Sequence, residues 1–239
     1  RLRGRVQSIL DYATARGYRT GDNPARWQGH LKELLPAPGK VAKTEHHAAL
    51  PWQEVGAFMA ELRQQAGTGA RALELAILTA AQSGEVRGAT WSEVDLVQAV
   101  WTIPAARMKA AKEHRVPLSA LAVALLRTLP RIDGSDLLFP NTKGAALSDM
   151  TLAAVLKRMG RTVTAHGFRS TFRDWAGECT AYPREVIAPA LAHQLRHKAE
   201  AAYARGTLFE KRRRLMAEWG QFCGLVAPVA GVVPLRHGA

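Results

Sequence analysis

The sequence contains little cysteine, few acidic residues relative to its basic ones, and no long apolar run. Its two cysteines, Cys179 and Cys223, lack the spacing of a zinc site, so reduced thiols are the simpler interpretation. No apolar stretch approaches the ~20 residues of a membrane span, and the first residues do not resemble a signal peptide. These absences argue against a disulfide-stabilised scaffold and against a membrane protein, and they favour a cytoplasmic one.

The excess of basic residues is the main compositional signal. The 239 residues include 33 Lys and Arg against 20 Asp and Glu, which gives a formal net charge of +13. This balance favours a polyanionic partner, most often nucleic acid, and the alternative is a solvated basic surface. The acidic residues are scattered and form no paired-carboxylate motif, so the sequence predicts no two-metal site.

Hydrophobic periodicity predicts a mainly α fold with one small antiparallel β-sheet. Apolar residues at helical spacing indicate helices over residues 4–17 and 25–35 and a helix that begins near Pro51. A more apolar helix over residues 70–81 is expected to be central to the core. Further helices are predicted over residues 121–129, 150–159, 168–178, 184–191 and 207–222.

Two β-prone runs, residues 100–103 and 115–118, indicate the sheet. The polar stretch between them suits a hairpin loop, and residues 91–96 lead into the first run. This arrangement predicts an antiparallel pair whose loop presents several basic side chains.

The segment over residues 36–45 is rich in Pro and Lys and is typical of an interdomain linker. Residues 1–35 are too few for a domain, so we expect the C-terminal part of a helical domain whose beginning is missing. The absence of an initial methionine also suggests a fragment or a processed chain. Residues 46–222 are then the main domain, and residues 223–239, which have no amphipathic period, are expected to form a flexible tail.

A small set of residues near the carboxyl end suggests one chemistry. His166 and Arg169 form an H-x-x-R turn at the predicted start of a helix, and His193 and Tyr203 follow ten residues apart. Arginine can hold two phosphate oxygens through its planar guanidinium, and a tyrosine oxygen can attack a phosphodiester once its proton is removed. Each residue alone has a simpler explanation, such as a surface histidine or a packing tyrosine, but the combination favours DNA strand cleavage.

The order and spacing of these residues resemble the tyrosine recombinases, in particular the integrases of phages and genomic islands. The similarity continues through residues 208–216, which follow Tyr203, and covers roughly residues 45–222. It implies the catalytic-domain fold of DNA breaking-rejoining enzymes for residues 46–222 and a core-binding domain for residues 1–35.

The resemblance implies a role for each residue of the set. Tyr203 would be the nucleophile that forms a 3′-phosphotyrosyl bond and frees a 5′-hydroxyl. Arg169 would stabilise charge on the non-bridging oxygens, His166 would bind the phosphate and help move the tyrosine proton, and His193 would donate to a phosphate oxygen. The covalent intermediate stores the energy of the phosphodiester, so no ATP, metal or other cofactor is implied.

Lys109 matches the lysine of this family and would be the general acid toward the leaving 5′-oxygen. Lys112 is the competitor for that role, and either lysine could instead contact only the DNA backbone. Glu85 would orient a neighbouring cation.

The first arginine of the family lies in a T-x-x-R-x-x-E pattern, and the matching stretch from Thr79 to Glu85 has Gln82 in its place. Glutamine brings one donor but neither charge nor fork, so we expect impaired cleavage, whether the substitution is engineered or natural. Arg87 is a less favoured substitute because it lies five residues on. DNA binding should survive, with basic contacts from Arg107, Lys112, Arg115, Arg158, Arg161, Arg196 and Lys198.

The sequence therefore predicts a site-specific recombinase, an integrase of a bacterial mobile element such as a prophage or genomic island. Its expected partners are double-stranded attachment sites and accessory DNA-bending proteins. The chain itself is expected to form a homotetramer on DNA or to be a monomer without DNA. A catalytically inactive, recombinase-derived DNA-binding protein and a type IB topoisomerase are the alternatives. A covalent protein–DNA adduct would argue against the inactive DNA-binding protein. Relaxation of supercoiled DNA without site preference would indicate the topoisomerase.

Overall fold

The computed structural model describes residues 2–36, 48–193 and 208–225. The chain divides into two units, residues 1–46 and 47–239. The predicted linker lies almost wholly outside the described residues, as do Tyr203, Arg196 and Lys198. Of the helices in the described part of the chain, none is long and apolar enough to cross a membrane.

The first unit is built on helix α1, Leu2–Ala15. The buried Asn23 holds the following loop against it, because its side-chain amide donates to the Gln7 carbonyl at 2.8 Å and to Asp11 Oδ1 at 2.7 Å. The predicted continuous helix over residues 25–35 is wrong. Gln28 is extended and Gly29 has a φ of 67°, which interrupts the helix and leaves only the turns Trp27–Leu31 and Lys32–Leu34.

The described part of the second unit is mostly helical and contains one small sheet. Its helices are α2 (Val55–Arg63), α3 (Thr68–Thr79), α4 (Ser83–Arg87), α5 (Ala120–Thr128), α6 (Thr151–Arg158), α7 (Gly167–Cys179), α8 (Arg184–Ala190) and α9 (Phe209–Gly224). Its strands are β1 (Val94–Asp95), β2 (Val100–Ile103) and β3 (His114–Pro117). The mainly α prediction is therefore confirmed.

Helix α3 lies at the centre of the core, as its apolar sequence predicts. Nearly every residue after its first turn is buried, and Trp219 Nε1 of α9 donates to the Ile77 carbonyl at 2.8 Å. The one buried carboxylate on α3, Glu74, is neutralised by Arg63 at 2.7 Å and Arg71 at 2.8 Å, as a buried charge requires.

The strands pair antiparallel in the order β1-β2-β3, with Trp101 opposite Val116 and Ile103 opposite His114. The predicted strand at 100–103 is confirmed, and the next strand begins one residue earlier than predicted. Trp101 and Ile103 are fully buried, so the sheet is anchored to the core and its β2–β3 loop extends away from a fixed base.

Helices α7 and α9 pack through aromatic rings, which fixes the direction of α7. The Trp219 ring of α9 lies 5.4 Å from Phe172 and 5.0 Å from Trp175 between centroids. Helix α9 continues to Gly224 with Cys223 buried, so residues 223 and 224 belong to this helix and not to the expected tail. Residues 226–239 lie outside the described part of the chain.

Candidate active site

A cavity of about 1220 Å³ opens where the β2–β3 loop, the start of α4, helix α7 and the end of α8 meet. Five residues singled out from the sequence line it together: Gln82, Lys109, His166, Arg169 and His193. They come from four separate segments of the chain. The first and last of them, Gln82 and His193, are more than 100 residues apart in the sequence, and the fold brings them to one cavity.

Arg169 is the most buried charge of the cavity, with only 5% of its surface exposed. Its guanidinium donates to the carbonyls of Ala80 and Leu191, and Nη2 lies 3.3 Å from His193 Nε2. Burial lowers the pKa of Arg169, and the carboxylate of Glu85 opposes that shift. Its Nε has no hydrogen-bond partner among the described residues.

The two carbonyls that hold Arg169 lie at the C-terminal ends of helices. Ala80 ends α3 and Leu191 ends α8, where the helix dipoles favour a positive charge. Ala80 and Ala192 both have a positive φ, 51° and 52°, a conformation that costs a non-glycine residue about 1–2 kcal/mol. The backbone is thus strained at the two turns that position this guanidinium.

His166 and Arg169 are placed by the start of α7. Thr164 ends the preceding loop, and its Oγ1 accepts from the Gly167 N–H at 2.9 Å. His166 is exposed at the N-cap of α7, and Arg169 lies about one turn further on and is buried. The H-x-x-R spacing therefore sets both side chains on the same side of one helical turn.

The surroundings of His193 favour its neutral form. Its pKa is lowered by burial first and then by the positive charges of Arg169 and Arg173 and by His166. A neutral imidazole has one N–H donor and one acceptor nitrogen, so His193 can donate one hydrogen bond to a phosphate oxygen without adding charge.

Gln82 lies at the N-cap of α4. The Gln82 backbone N–H donates to Glu85 Oε2 at 2.8 Å, which ties the start of the helix to this carboxylate. Burial raises the pKa of Glu85, while the Gln82 N–H and the charges of Arg169 and Arg107 lower it. The carboxylate thus lies behind the cavity and acts on two arginines.

The two candidate lysines differ in position. Lys109 is exposed on the β2–β3 loop and lines the cavity, whereas Lys112 is exposed on the same loop but does not line it. Arg87, which could have replaced the missing arginine, donates to the Leu147 carbonyl at 2.8 Å and is not part of the cavity wall.

The basic residues expected to contact DNA that the structure describes fall into two groups. Lys112, Arg115 and Arg158 are exposed, and the Arg115 guanidinium lies 4.5 Å from the Phe209 ring. Arg107 and Arg161 are instead held by ion pairs, Arg107 to Glu93 and Arg161 to Glu61. Helix α9 also carries a run of four basic residues, 211–214, which fan out around it, with Arg212 buried and Lys211 and Arg214 exposed.

Sequence reasoning missed the second half of the cavity wall, which is formed by Arg173, Asp174, Gly177, Glu178, Tyr182 and Arg184. A helical period counted from Arg169 would have found Arg173 and Gly177, four and eight residues on. Tyr182 donates to Glu218 at 2.7 Å. Burial and that hydrogen bond raise the pKa of Tyr182 to about 12, which makes its phenolate hard to form.

The predicted nucleophile, Tyr203, lies between His193 and α9 in sequence and outside the described residues. Within the described ranges, no three His, Cys, Asp or Glu side chains are grouped as a metal site.

Residues 49–207 match the family model described as the phage integrase family. The integrase of Enterobacteria phage P4 is 33% identical, over 92% of this chain and 53% of that protein. The prophage integrase IntA of Escherichia coli K12 is 34% identical, over 67% of this chain and 40% of that protein. The chain thus spans about half, or less, of the length of these relatives.

The fold is similar to that of solved integrases. A lambda integrase dimer bound to a COC' core site superposes with a TM-score of 0.58 at 17% identity, over 86% of this chain and 71% of that chain. The integrase of mycobacterium phage Brujita gives a TM-score of 0.58 at 17% identity, over 91% of this chain and 70% of that one.

Proposed function

This chain belongs to the phage integrase family and has the fold of a tyrosine recombinase catalytic domain, and from that premise we propose that it cleaves and rejoins DNA at attachment sites of a mobile element. The main support is the convergence of Arg169, His193, His166 and Lys109 on one cavity. Together these four side chains offer hydrogen-bond donors and positive charge, which suit the transition state of a phosphodiester cleavage.

In the proposed reaction the Tyr203 oxygen attacks the scissile phosphorus, and the bond from phosphorus to the 5′-oxygen breaks. The tyrosine proton passes to His166, and Lys109 gives a proton to the leaving 5′-oxygen. Arg169 and His193 stabilise the charge on the non-bridging oxygens through preorganised donors. Attack by a 5′-hydroxyl of the second duplex reverses these steps and releases the tyrosine.

Arg169 suits this role because its position is set before DNA binds. Two helix-end carbonyls hold its guanidinium, and Glu85 preserves its charge despite burial. Donors fixed in advance need no reorganisation during the reaction, which is why they stabilise a transition state more than mobile ones do.

DNA partners and assembly are part of the proposal. Solved relatives include lambda integrase as a dimer on a core site and as a tetramer on a Holliday junction. A homotetramer of this chain on two duplexes, with accessory DNA-bending proteins, would perform strand exchange. The exposed cations Lys112, Arg115 and Arg158 would contact the DNA backbone, and Arg196 and Lys198 would do so near Tyr203.

Gln82 favours a second candidate, a DNA-binding protein that no longer cleaves. Its side chain lines the cavity and adds no positive charge to it. Loss of one preorganised donor costs about 10²–10³ in rate. The named relatives are integrases, which favours recombination over relaxation by a type IB topoisomerase.

The test is covalent trapping on nicked suicide duplexes that tile the DNA on both sides of the gene. The chain, its Gln82→Arg variant and its Tyr203→Phe variant are compared for a denaturant-stable adduct. We expect Gln82→Arg to form the adduct much faster than the chain and Tyr203→Phe to form none. Tyr182→Phe is the matched control and should leave the adduct unchanged. Binding without any adduct in all variants would support the non-cleaving alternative.

A further inference from the structure

The cavity has one guanidinium fewer than the family pattern provides, because Gln82 occupies that position. Gln82 lines the cavity, but its side chain carries no charge and cannot hold two phosphate oxygens as a guanidinium does. A phosphate bound beside Arg169 would therefore meet a single fixed arginine on this side. A second positive charge for this phosphate would have to come from another residue of the cavity wall.

Arg173 is on the same helix as Arg169, four residues on, and so on the same helical face. It lines the cavity together with Gln82, His166 and His193. It is also close enough to His193 for its charge to lower the pKa of that imidazole, after burial and Arg169. Two observations, the shared wall and the field at His193, thus place this guanidinium beside the proposed phosphate site.

The Arg173 side chain is exposed and weakly held, whereas two carbonyls hold that of Arg169. Its side chain is 64% exposed, and its ion pair is with the adjacent Asp174 at 3.3 Å, which is itself 46% exposed. An exposed pair of neighbouring side chains is weak and can open when a phosphate enters. Arg87 and Arg107 are instead held by Leu147 and Glu93 and do not line the cavity.

We propose that Arg173 contacts the non-bridging oxygens of the scissile phosphate and supplies the second guanidinium that position 82 lacks. This inference rests on the proposed function, in which the cavity binds a scissile phosphodiester. Arg173 approaches from the solvent side of α7, whereas Arg169 approaches from the core. Two planar guanidinium groups would then share the charge of the transition state.

The first test is a double-mutant cycle on the rate of adduct formation. Arg173→Gln is made in the chain and in its Gln82→Arg variant. We expect it to slow the chain by about 10²-fold, the typical cost of one such donor, and the Gln82→Arg variant by much less. Equal factors in the two backgrounds would mean that Arg173 does not replace the missing arginine, and would overturn the proposal.

Arg184→Gln is the matched control, because Arg184 also lines the cavity but begins a different helix. It removes the same charge and should change the rate by the same factor in both backgrounds. If Arg184→Gln shows the background dependence expected of Arg173→Gln, the effect is the net charge of the cavity and the assignment to Arg173 is wrong.

The second test does not require cleavage. Affinity is measured in the Tyr203→Phe background for the same duplexes with a phosphate or a neutral methylphosphonate at the scissile position. Arg173→Gln should weaken binding to the phosphate duplex and leave binding to the methylphosphonate duplex unchanged. Equal weakening of binding to both duplexes would mean that Arg173 does not contact the scissile phosphate and would overturn the proposal. If no variant ever forms an adduct, the proposed cleavage fails, and this binding cycle still decides whether Arg173 meets the phosphate.

Discussion

The carbonyl of Ala48 lies against Gly167 so closely that a Cβ atom on this glycine would stand 2.1 Å from the carbonyl oxygen. The same carbonyl accepts from the Thr164 N–H at 3.0 Å, and Thr171 Oγ1 donates to the nearby Leu50 carbonyl at 2.7 Å. The extended segment at 48–50 is thus fastened along the first turns of α7. Only a residue without a Cβ atom fits at this position of the H-x-x-R turn.

Gly167→Ala should therefore destabilise the fold and displace both His166 and Arg169. Overpacking against backbone costs about 1–3 kcal/mol, measured as the free energy of unfolding in urea. Gly177→Ala is the control on the same helix, since nothing lies within 4 Å of the point that a Cβ atom would occupy there. It should raise stability by about 0.5–1 kcal/mol because alanine favours a helix interior. Similar effects of the two changes would contradict the contact.

Arg107 and Lys112 lie on the same loop, and we expect their substitutions to fail in different ways. Arg107 pairs with Glu93 and donates to the Glu85 carbonyl, so Arg107→Gln should cost about 2 kcal/mol of stability. Lys112 is exposed, so Lys112→Gln should leave stability within about 0.5 kcal/mol and reduce the salt dependence of DNA binding by about one ion. Urea unfolding and binding at several salt concentrations measure the two. A reversed pattern would show that Arg107 is the DNA contact.

Buried Arg212 should matter to the fold more than its charged neighbours do. It is 2% exposed, and its Nη1 donates to the Arg115 carbonyl of β3 at 2.9 Å. Burial lowers the pKa of Arg212 to about 10. Arg212→Ala should cost about 2–4 kcal/mol in urea unfolding, whereas Arg214→Ala, on an exposed face of α9, should change stability by less than about 0.5 kcal/mol. Equal losses would mean that the run acts only through its charge.

The elements with strong local signals could be predicted from the sequence. The strand at Val100–Ile103 has a β-branched and aromatic run and has the predicted bounds. Helix α3 has a continuous apolar face, and it begins and ends two residues earlier than predicted. Helix α4 was missed because it has five residues and contains Gly84, so its stability comes from the bond of the Gln82 N–H to Glu85 and from packing. The predicted helix over 25–35 failed because Gly29 permits a left-handed turn.

The site could be predicted only as far as spacing goes. His166 and Arg169 lie three residues apart, so their common face follows from helical geometry, and the family pattern drew attention to Lys109 and His193. The wall formed by Glu178, Tyr182 and Arg184 depends instead on how α7 packs against α9 through Trp175 and Trp219. No local pattern encodes that contact, because it joins residues more than 40 positions apart.

His114 should make the stability of the fold depend on pH. It lies on β3, and its pKa falls to about 4 through burial first and then through repulsion by Arg212 and Arg169. The unfolded chain takes up a proton near the ordinary value of about 6.5, but the folded chain does not until about pH 4. The contribution of His114 is therefore complete above about pH 6.5 and is lost as the pH falls toward about 4.

One unit of pKa difference corresponds to about 1.4 kcal/mol, so at about pH 5 the loss from His114 should approach 2 kcal/mol. The measurement is urea unfolding of the chain and of His114→Gln from about pH 7.5 to about pH 4.5. The variant should lose less stability than the chain over that interval, because glutamine takes up no proton in the unfolded state. His193→Gln, measured in parallel, separates the contribution of His193, whose pKa is also lowered. Parallel curves for the chain and His114→Gln would show that His114 titrates alike in the folded and unfolded states.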